Sequence, residues 1–400
     1  MPLDIDVLVV GGSVAGARCV EALRHNGFDG SVRLVSDESE PPYDRPPLSK
    51  QFLAGDGSID HVRLLSAGRA AELGIELELG TAAVGLDPAT RTVALADGRT
   101  VTYGTVVIAT GAVARPSPWG TPPGVHTLRD RADAERLRAA LTPGARVVVV
   151  GGGWIGAEVA AAAHSRGGRV TVVDVMANPY TRAIGAELGQ LVCGIHARHG
   201  VEARFGTGVV DVRRDGAGLA VELTDGEVLP ADAVVVGIGT IPNTDWLAGS
   251  GLTVADGVAC DGFGRALGVD DVWAVGDVAR WGERRHEHWT SAVEQARAVG
   301  HNIAHPDDLV DGSNDGYVWS DQYGWKIQLA GDTGAHCEVV VDDPDVPRVA
   351  ALYRDGSGRL VGVAAVNWPR AFIRGWRAIG VADALEQAAE LRGATANVAV

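Results

Sequence analysis

Val7-Leu-Val-Val-Gly-Gly-Ser-Val-Ala-Gly16 and, 140 positions later, Val147-Val-Val-Val-Gly-Gly-Gly-Trp-Ile-Gly156 share one design. Each is a short apolar run, a glycine turn and then a small-residue helical stretch, Ala17-Arg-Cys-Val-Glu-Ala-Leu-Arg24 or Ala157-Glu-Val-Ala-Ala-Ala-Ala163. A second apolar strand follows, at residues 32–35 and 170–173. This is the β-turn-α-β order of a Rossmann-type dinucleotide-binding unit, present twice. In the second copy Gly151, Gly153 and Gly156 complete the fingerprint around Trp154 and Ile155, and the acid Asp174 comes 18 positions after Gly156. In the first, Gly11 and Gly16 flank Ser13 and Ala15, and the acid is Glu38, 22 positions after Gly16. The first glycine permits the turn, the middle small residue lets backbone approach a pyrophosphate, and the last lets helix pack on strand. The helix N-terminus then stabilises phosphate charge, and the acid accepts ribose hydroxyls. One such turn also serves plain packing. Two, each with strand, helix and acid in place, argue for two dinucleotide sites, one for a bound flavin and one for an exchanging nicotinamide.

The 400 residues suit two or three domains, and 46% apolar with 22% charged residues is a globular composition that excludes disorder. A formal net charge of −16 speaks against a nucleic-acid binder. No apolar run approaches the roughly 20 residues of a bilayer span, and Met1 leads almost directly into a strand, so a cytoplasmic protein off the membrane is expected. Cys19, Cys193, Cys260 and Cys337 are scattered, which disfavours a disulfide scaffold, a zinc ribbon and a dithiol pair.

Three strands ending in small residues look like flavin-site architecture. Thr105-Val-Val-Ile-Ala-Thr-Gly111 ends in Ala109, Thr110 and Gly111, and Asp232-Ala-Val-Val-Val-Gly-Ile-Gly239 leads out of the second unit. Asp271-Val-Trp-Ala-Val-Gly-Asp277 ends in Gly276 and Asp277, where a carboxylate either meets a polyol hydroxyl or caps a helix. After about residue 312 the runs 317–329, 337–341, 349–353 and 360–366 read as strands of an antiparallel sheet, with a helical tail after Pro369. The fold class is α/β: two Rossmann-type domains plus a C-terminal α+β domain with an antiparallel sheet.

Pro42-Tyr-Asp-Arg-Pro-Pro-Leu-Ser-Lys50, the second glycine turn through Glu158, Ala274-Val-Gly-Asp277, His288-Trp289, Ala292-Val-Glu-Gln295 and Trp319-Ser-Asp-Gln322 together resemble the FAD-dependent NADH:ferredoxin reductases of bacterial oxygenase systems. The likeness spans nearly the whole chain. It implies a glutathione-reductase-like arrangement with a discontinuous FAD domain (1–112 and 239–311), an NAD domain (113–238) and a C-terminal domain (312–400). It also implies tight, non-covalent FAD, NADH as substrate, and single-electron delivery to a 2Fe–2S ferredoxin serving a haem-thiolate monooxygenase or a ring-hydroxylating dioxygenase.

By the same resemblance Lys50, one of two lysines in the chain, lies at the flavin edge paired with Glu158, and these are the catalytic candidates. Arg45 is expected on the FAD pyrophosphate. Arg129 contacts flavin or NAD, unless this stretch only starts a helix with Asp130 as its cap. Trp289 and Trp319 either touch the isoalloxazine or are core, and Trp154 either borders the nicotinamide or covers its helix start. Beyond Asp174 no arginine follows until Arg182, which favours NADH over NADPH. No residue set suggests a metal. Disulfide reductases need a cysteine pair and single-cysteine oxidases a thiol in the loop ending at Lys50; neither is present. The alternative from another class is a flavin- and NADH-binding regulatory or assembly protein related to the apoptosis-inducing factors.

No acid occurs between Asp355 and Asp383, an interval holding Arg359, Arg370, Arg374 and Arg377. The last three share a face if helical. With Arg284 and Arg285 they form a candidate basic patch for an acidic ferredoxin, the alternative being ordinary salt bridges.

Overall fold

The structure is a computed structural model, and residues 3–55, 57–312, 316–343 and 348–380 are described. The chain forms two compact units. One comprises Met1–Pro46, Ser58–Val113 and Thr240–Asn314; the other comprises Pro47–Gly57, Ala114–Gly239 and Asp315–Val400.

In the first unit the apolar run expected from the sequence is strand Ile5–Val10, central in a parallel sheet ordered Ile75–Leu79, Val32–Ser36, Ile5–Val10, Thr100–Ile108. Val9 pairs with Leu34 on one side and Val107 on the other, and Val7, Leu8, Val9 and Val10 are all buried, so both faces of the strand are covered as well as both edges. Val272–Ala274 adds a further parallel partner to Thr100–Ile108, and the antiparallel pair Thr92–Leu95 and Ala83–Asp87 continues the far edge. Helices Val14–His25 and Trp289–Ala304 pack together through small residues: a Cβ on Gly300 would stand 2.5 Å from that of Ala22.

In the second unit Arg146–Val150 is central in the parallel order Glu202–Phe205, Arg169–Asp174, Arg146–Val150, Ala233–Val236, Val125–His126. A three-stranded antiparallel sheet, Val209–Asp215, Gly218–Leu223 and Val228–Ala231, packs its Val221 and Leu223 beside Val148 and Val150. The C-terminal sheet is antiparallel, ordered Val318–Gln322, Trp325–Gly331, Leu360–Val366, Arg348–Arg354, His336–Asp343. Here the run 317–329 is corrected: it is two strands, turned at Tyr323-Gly324, and Tyr323 takes φ 53° there. The tail begins as helix Pro369–Ala378, whose buried side is Ala371, Phe372, Gly375 and Ala378. Residues beyond 380, Asp383 among them, lie outside the described residues.

The two glycine turns are backbone crossings that leave no room for a side chain. Gly11 has φ +123°, and a Cβ there would lie 2.1 Å from the Ala109 carbonyl oxygen; Gly151 has φ +104°, with 2.1 Å to that of Gly237. Gly16 and Gly156 each allow a helix to start against the preceding turn, a Cβ on either falling 1.9 Å from the carbonyl oxygen of Gly11 or Gly151. Gly151→Ala therefore combines a disfavoured φ with a backbone clash and should cost about 3 kcal/mol or more in urea unfolding. An unchanged midpoint would show that this turn is not built as described.

Candidate functional site

The first glycine turn opens onto a cleft of ≈ 180 Å³ lined by Gly11, Gly12, Ser13, Glu38, Arg45, Ala109, Thr110, Asn243 and Trp246, among others. Ser13 is the N-cap of helix Val14–His25, yet its side chain makes no cap bond and no acid stands in the first turn. The first N–H groups of that helix are thus unclaimed by a capping side chain, as an anion site requires. Arg45 spans the turn: its Nε donates to Ser13 Oγ at 3.1 Å and its Nη2 to Glu38 Oε1 at 2.6 Å. Tyr43 donates its hydroxyl to the other Glu38 oxygen. Both helpers come from the Pro42–Lys50 loop, so that stretch orients the acid as well as supplying the arginine. Thr110 donates to the Asn243 carbonyl at 2.8 Å, closing the opposite wall, and Trp246 has a buried Nε1 without a hydrogen-bond partner. A cradle shaped by glycines, an uncapped helix start, a guanidinium and an oriented acid fit a dinucleotide.

Asp277 lies in the 3-10 turn Gly276–Val278, half-buried. Gly276 has φ +75° and a Cβ there would stand 2.9 Å from that of Ala15, so the turn is seated at the start of the first helix. Gln295 fixes it by accepting from the Gly276 N–H at 2.9 Å. Trp289 opens helix Trp289–Ala304, and its indole N–H donates to Asp44 at 2.6 Å.

The second turn repeats the arrangement. Helix Trp154–Ser165 has Gly153 as N-cap, no capping side chain and no acid in its first turn; a Cβ on Gly153 would meet nothing within 4 Å. That open face at the middle glycine fits an approaching pyrophosphate. Asp174 ends its strand with both carboxylate oxygens held by backbone, accepting from Gly152 N and Met176 N at 2.7 Å each. Ile155 is 46% exposed and Trp154 leans on Tyr180 with ring centroids 4.7 Å apart. Arg182 is exposed. Asp130 caps helix Arg131–Ala140 by accepting from Asp133 N at 2.7 Å, with Arg129 half-buried beside it. Gly239, at φ +103°, accepts from Arg115 N at 2.9 Å.

The short segment Pro47–Gly57 belongs to this second unit because Leu53 is buried among Leu137, Val159 and Ala160, and Arg138 lies over the Phe52 ring. It brings Lys50 to helix Trp154–Ser165. Lys50 Nζ stands 3.0 Å from Glu158 Oε2, their side chains 12% and 5% exposed. Ser49 Oγ donates to the same Glu158 oxygen at 2.5 Å and Ser320 Oγ to the other at 2.6 Å. Trp319 carries Lys50 6.0 Å from its ring centroid and stacks on Tyr317. Reading the sequence paired Lys50 with Glu158 but left Ser49, Ser320, Gln322, Tyr43 and Asp44 without roles, although all five lie inside stretches singled out there.

Arg370, Arg374 and Arg377 are exposed on helix Pro369–Ala378, opposite its buried side, with Ile373 46% exposed beside them. Arg359 pairs with Asp355 at 3.2 Å. Arg285 departs from expectation: its side chain is 8% exposed and paired with Asp256 and Glu287, so it presents no free charge. Arg284 is its neighbour on the short strand Arg284–Arg285.

Burial raises the thiols of Cys19 and Cys260 to about 12 and that of Cys193 to about 11, far from a reactive thiolate. Among the described residues no group of acids, histidines or cysteines could hold a metal, and no helix is long and apolar enough to cross a membrane.

A family model described as pyridine nucleotide-disulphide oxidoreductase matches residues 5–296, and one described as reductase C-terminal matches 317–395. The chain is 37% identical over 384 residues to a 5,5'-dehydrodivanillate O-demethylase ferredoxin reductase subunit of Sphingobium, covering 92% of each. It is 36% identical to rhodocoxin reductase of Rhodococcus erythropolis, covering 92% of this chain and 87% of that one. Among solved structures it is similar to one in a covalent putidaredoxin reductase–putidaredoxin complex, with TM-score 0.87, 31% identity, and 93% and 92% of the two chains covered.

Glu158→Ala would remove the carboxylate that stands 3.0 Å from the buried Lys50 ammonium. It should cost roughly 3 kcal/mol in urea unfolding, and Lys50→Met combined with Glu158→Leu should recover most of that. Equal losses in the single and the double variant would mean that the pair is not coupled.

Proposed function

Because the chain belongs to the pyridine nucleotide-disulphide oxidoreductase family, we propose that it is an FAD-containing reductase that takes hydride from NADH and passes electrons singly to a 2Fe–2S ferredoxin of an oxygenase system. It is an oxidoreductase of that family; the partner, the flavin and the residue roles are our reading. The observation that carries it is the buried Lys50–Glu158 pair in a chain whose described thiols are all raised by burial. A reductase of this family without a reactive thiol must hand its electrons on directly, which agrees with the ferredoxin reductases among its relatives.

When bound, FAD supplies the conversion of a two-electron hydride into single electrons. The chain's own residues do the rest. Arg45, Ser13 and the first N–H groups of helix Val14–His25 neutralise the pyrophosphate, Glu38 accepts ribose hydroxyls, and Asp277 serves the polyol, with no covalent link. Gly151, Gly153, Gly156 and Asp174 receive NADH. With FAD bound, the Lys50 ammonium would favour the negative charge the group gains when reduced, and Glu158 would keep that ammonium in place.

The direct test is NADH-driven cytochrome c reduction with added 2Fe–2S ferredoxins. Rapid turnover is expected, and flavin bleaching without turnover would instead favour a regulatory binding protein. Lys50→Ala should slow stopped-flow flavin reduction roughly tenfold or more while FAD content is kept; an unchanged rate would return Lys50 to a purely structural part.

Asp174 places a fixed negative charge at the strand tip, where a 2′-phosphate would be repelled. NADH should exceed NADPH in kcat/KM by roughly tenfold or more, and parity would refute the assignment of Asp174.

For docking, the exposed Arg370, Arg374 and Arg377 flank Ile373 and form no ion pair among the described residues. Such a basic face suits an acidic ferredoxin approaching an acidic reductase. Arg374→Glu with Arg377→Glu should raise the ferredoxin KM roughly tenfold and flatten its salt dependence, leaving ferricyanide reduction unchanged. Insensitivity of the ferredoxin KM to both the substitutions and salt would put the docking face elsewhere.

A further inference from the structure

Glu158 is held by more than its lysine. Ser320, on strand Val318–Gln322, donates to Oε1 at 2.6 Å, while Ser49 and Lys50 share Oε2. Gln322, two residues along the same strand and so on the same face of the pleat, donates Nε2 to Ser320 Oγ at 3.2 Å and to the Tyr180 hydroxyl at 3.4 Å. Ser49, Glu158, Ser320, Gln322 and Tyr180 are all buried, Ser320 and Gln322 completely.

A serine hydroxyl has one hydrogen to give. With the Gln322 amide N–H occupying an acceptor position on Ser320 Oγ, that hydrogen is directed to Glu158. Turning the amide over would set Gln322 Oε1 against Ser320 Oγ, and two acceptors would then compete for one hydrogen. The orientation that keeps the Ser320–Glu158 bond leaves Gln322 Oε1 buried without a hydrogen-bond partner. The bond from Gln322 to Ser320 Oγ thus decides where the single hydroxyl hydrogen goes. The arrangement makes sense if the direction of the Ser320 hydroxyl is what matters.

We propose that Ser320, oriented by Gln322, is a positioning residue that fixes the plane of the Glu158 carboxylate and, through Glu158, the place of the Lys50 ammonium. This rests on the reading of Lys50 and Glu158 as the pair acting in flavin reduction. Ser320 touches neither cofactor nor substrate in this scheme; it acts on the acid that holds the lysine.

The test is stopped-flow flavin reduction by NADH in the full-length, FAD-loaded protein, with FAD content and thermal midpoint measured alongside. Ser320→Ala should lower the limiting reduction rate roughly tenfold with less than about twofold change in the NADH dissociation constant. Ser320→Thr, which keeps the hydroxyl, should restore the rate to within about twofold. Gln322→Met, near-isosteric and apolar, should lower the rate in the same direction and serves if Ser320→Ala loses its flavin. Ser320→Ala combined with Glu158→Gln should be no slower than Glu158→Gln alone, because one acts through the other. If Glu158→Gln slows reduction while Ser320→Ala and Gln322→Met do not, the positioning role is overturned and the catalytic pair stands. Fully additive losses overturn it too. If Glu158→Gln itself reduces normally, the reading of the pair has failed, and this inference with it.

Discussion

An ammonium group withdrawn from water must be met by a counter-charge and have its donors used, or it will not stay charged. The chain places one of its two lysines under that constraint. Lys50 sits in a short segment whose Leu53 and Phe52 anchor it to the second unit, against the helix that starts at the second glycine turn. Glu158 lies one turn into that helix, four residues after Trp154 at its start, so the residue that answers the lysine is placed by the second glycine turn. Strand Val318–Gln322 then supplies the serine that completes the acid's coordination. Three stretches far apart in sequence thus meet at one carboxylate, through an ion pair and a serine hydrogen bond.

The two dinucleotide units obey one steric rule in different ways. In both, a glycine at positive φ lies against a neighbouring strand's carbonyl oxygen, and in both the helix begins without a capping side chain or an acid in its first turn. They differ in how the acid is held. Glu38 is oriented by side chains, Arg45 and Tyr43, whereas Asp174 is oriented by backbone N–H groups. The guanidinium adds positive charge to the first cradle, whereas neutral backbone donors hold the acid of the second.

The surface shows the same economy of charge. In a chain of net charge −16, many arginines are matched to nearby acids, as Arg285 is by Asp256 and Glu287. The helix Pro369–Ala378 is different because its apolar side is spent on the C-terminal sheet, leaving Arg370, Arg374 and Arg377 on the face turned to solvent.

Much of this was legible in order. The twin runs ending in Gly11 and Gly151 specified parallel strands, turns and helices, because glycine at a backbone crossing, continuous β-branched strands and small-residue helices are local requirements that sequence carries directly. Glu38 and Asp174 were legible as the acids that follow those turns and the arginines by their helical spacing, whereas Lys50 and its partner Glu158 came only through the family resemblance. What sequence spacing does not carry is which distant side chains converge. The hairpin at Tyr323-Gly324 was hidden in one apolar run because Tyr323 adopts a positive φ that its identity does not announce. The burial of Arg285 depended on acids 29 residues before and two after it. Ser49, Ser320 and Gln322 acquire a role only when a 3-10 turn, a sheet strand and a helix meet around Glu158. The sequence by itself determined the two dinucleotide folds, since their sterics are local. Only the tertiary structure decided how the buried charge is held, since a hydrogen bond between residues 162 positions apart exists only once the chain has brought them together.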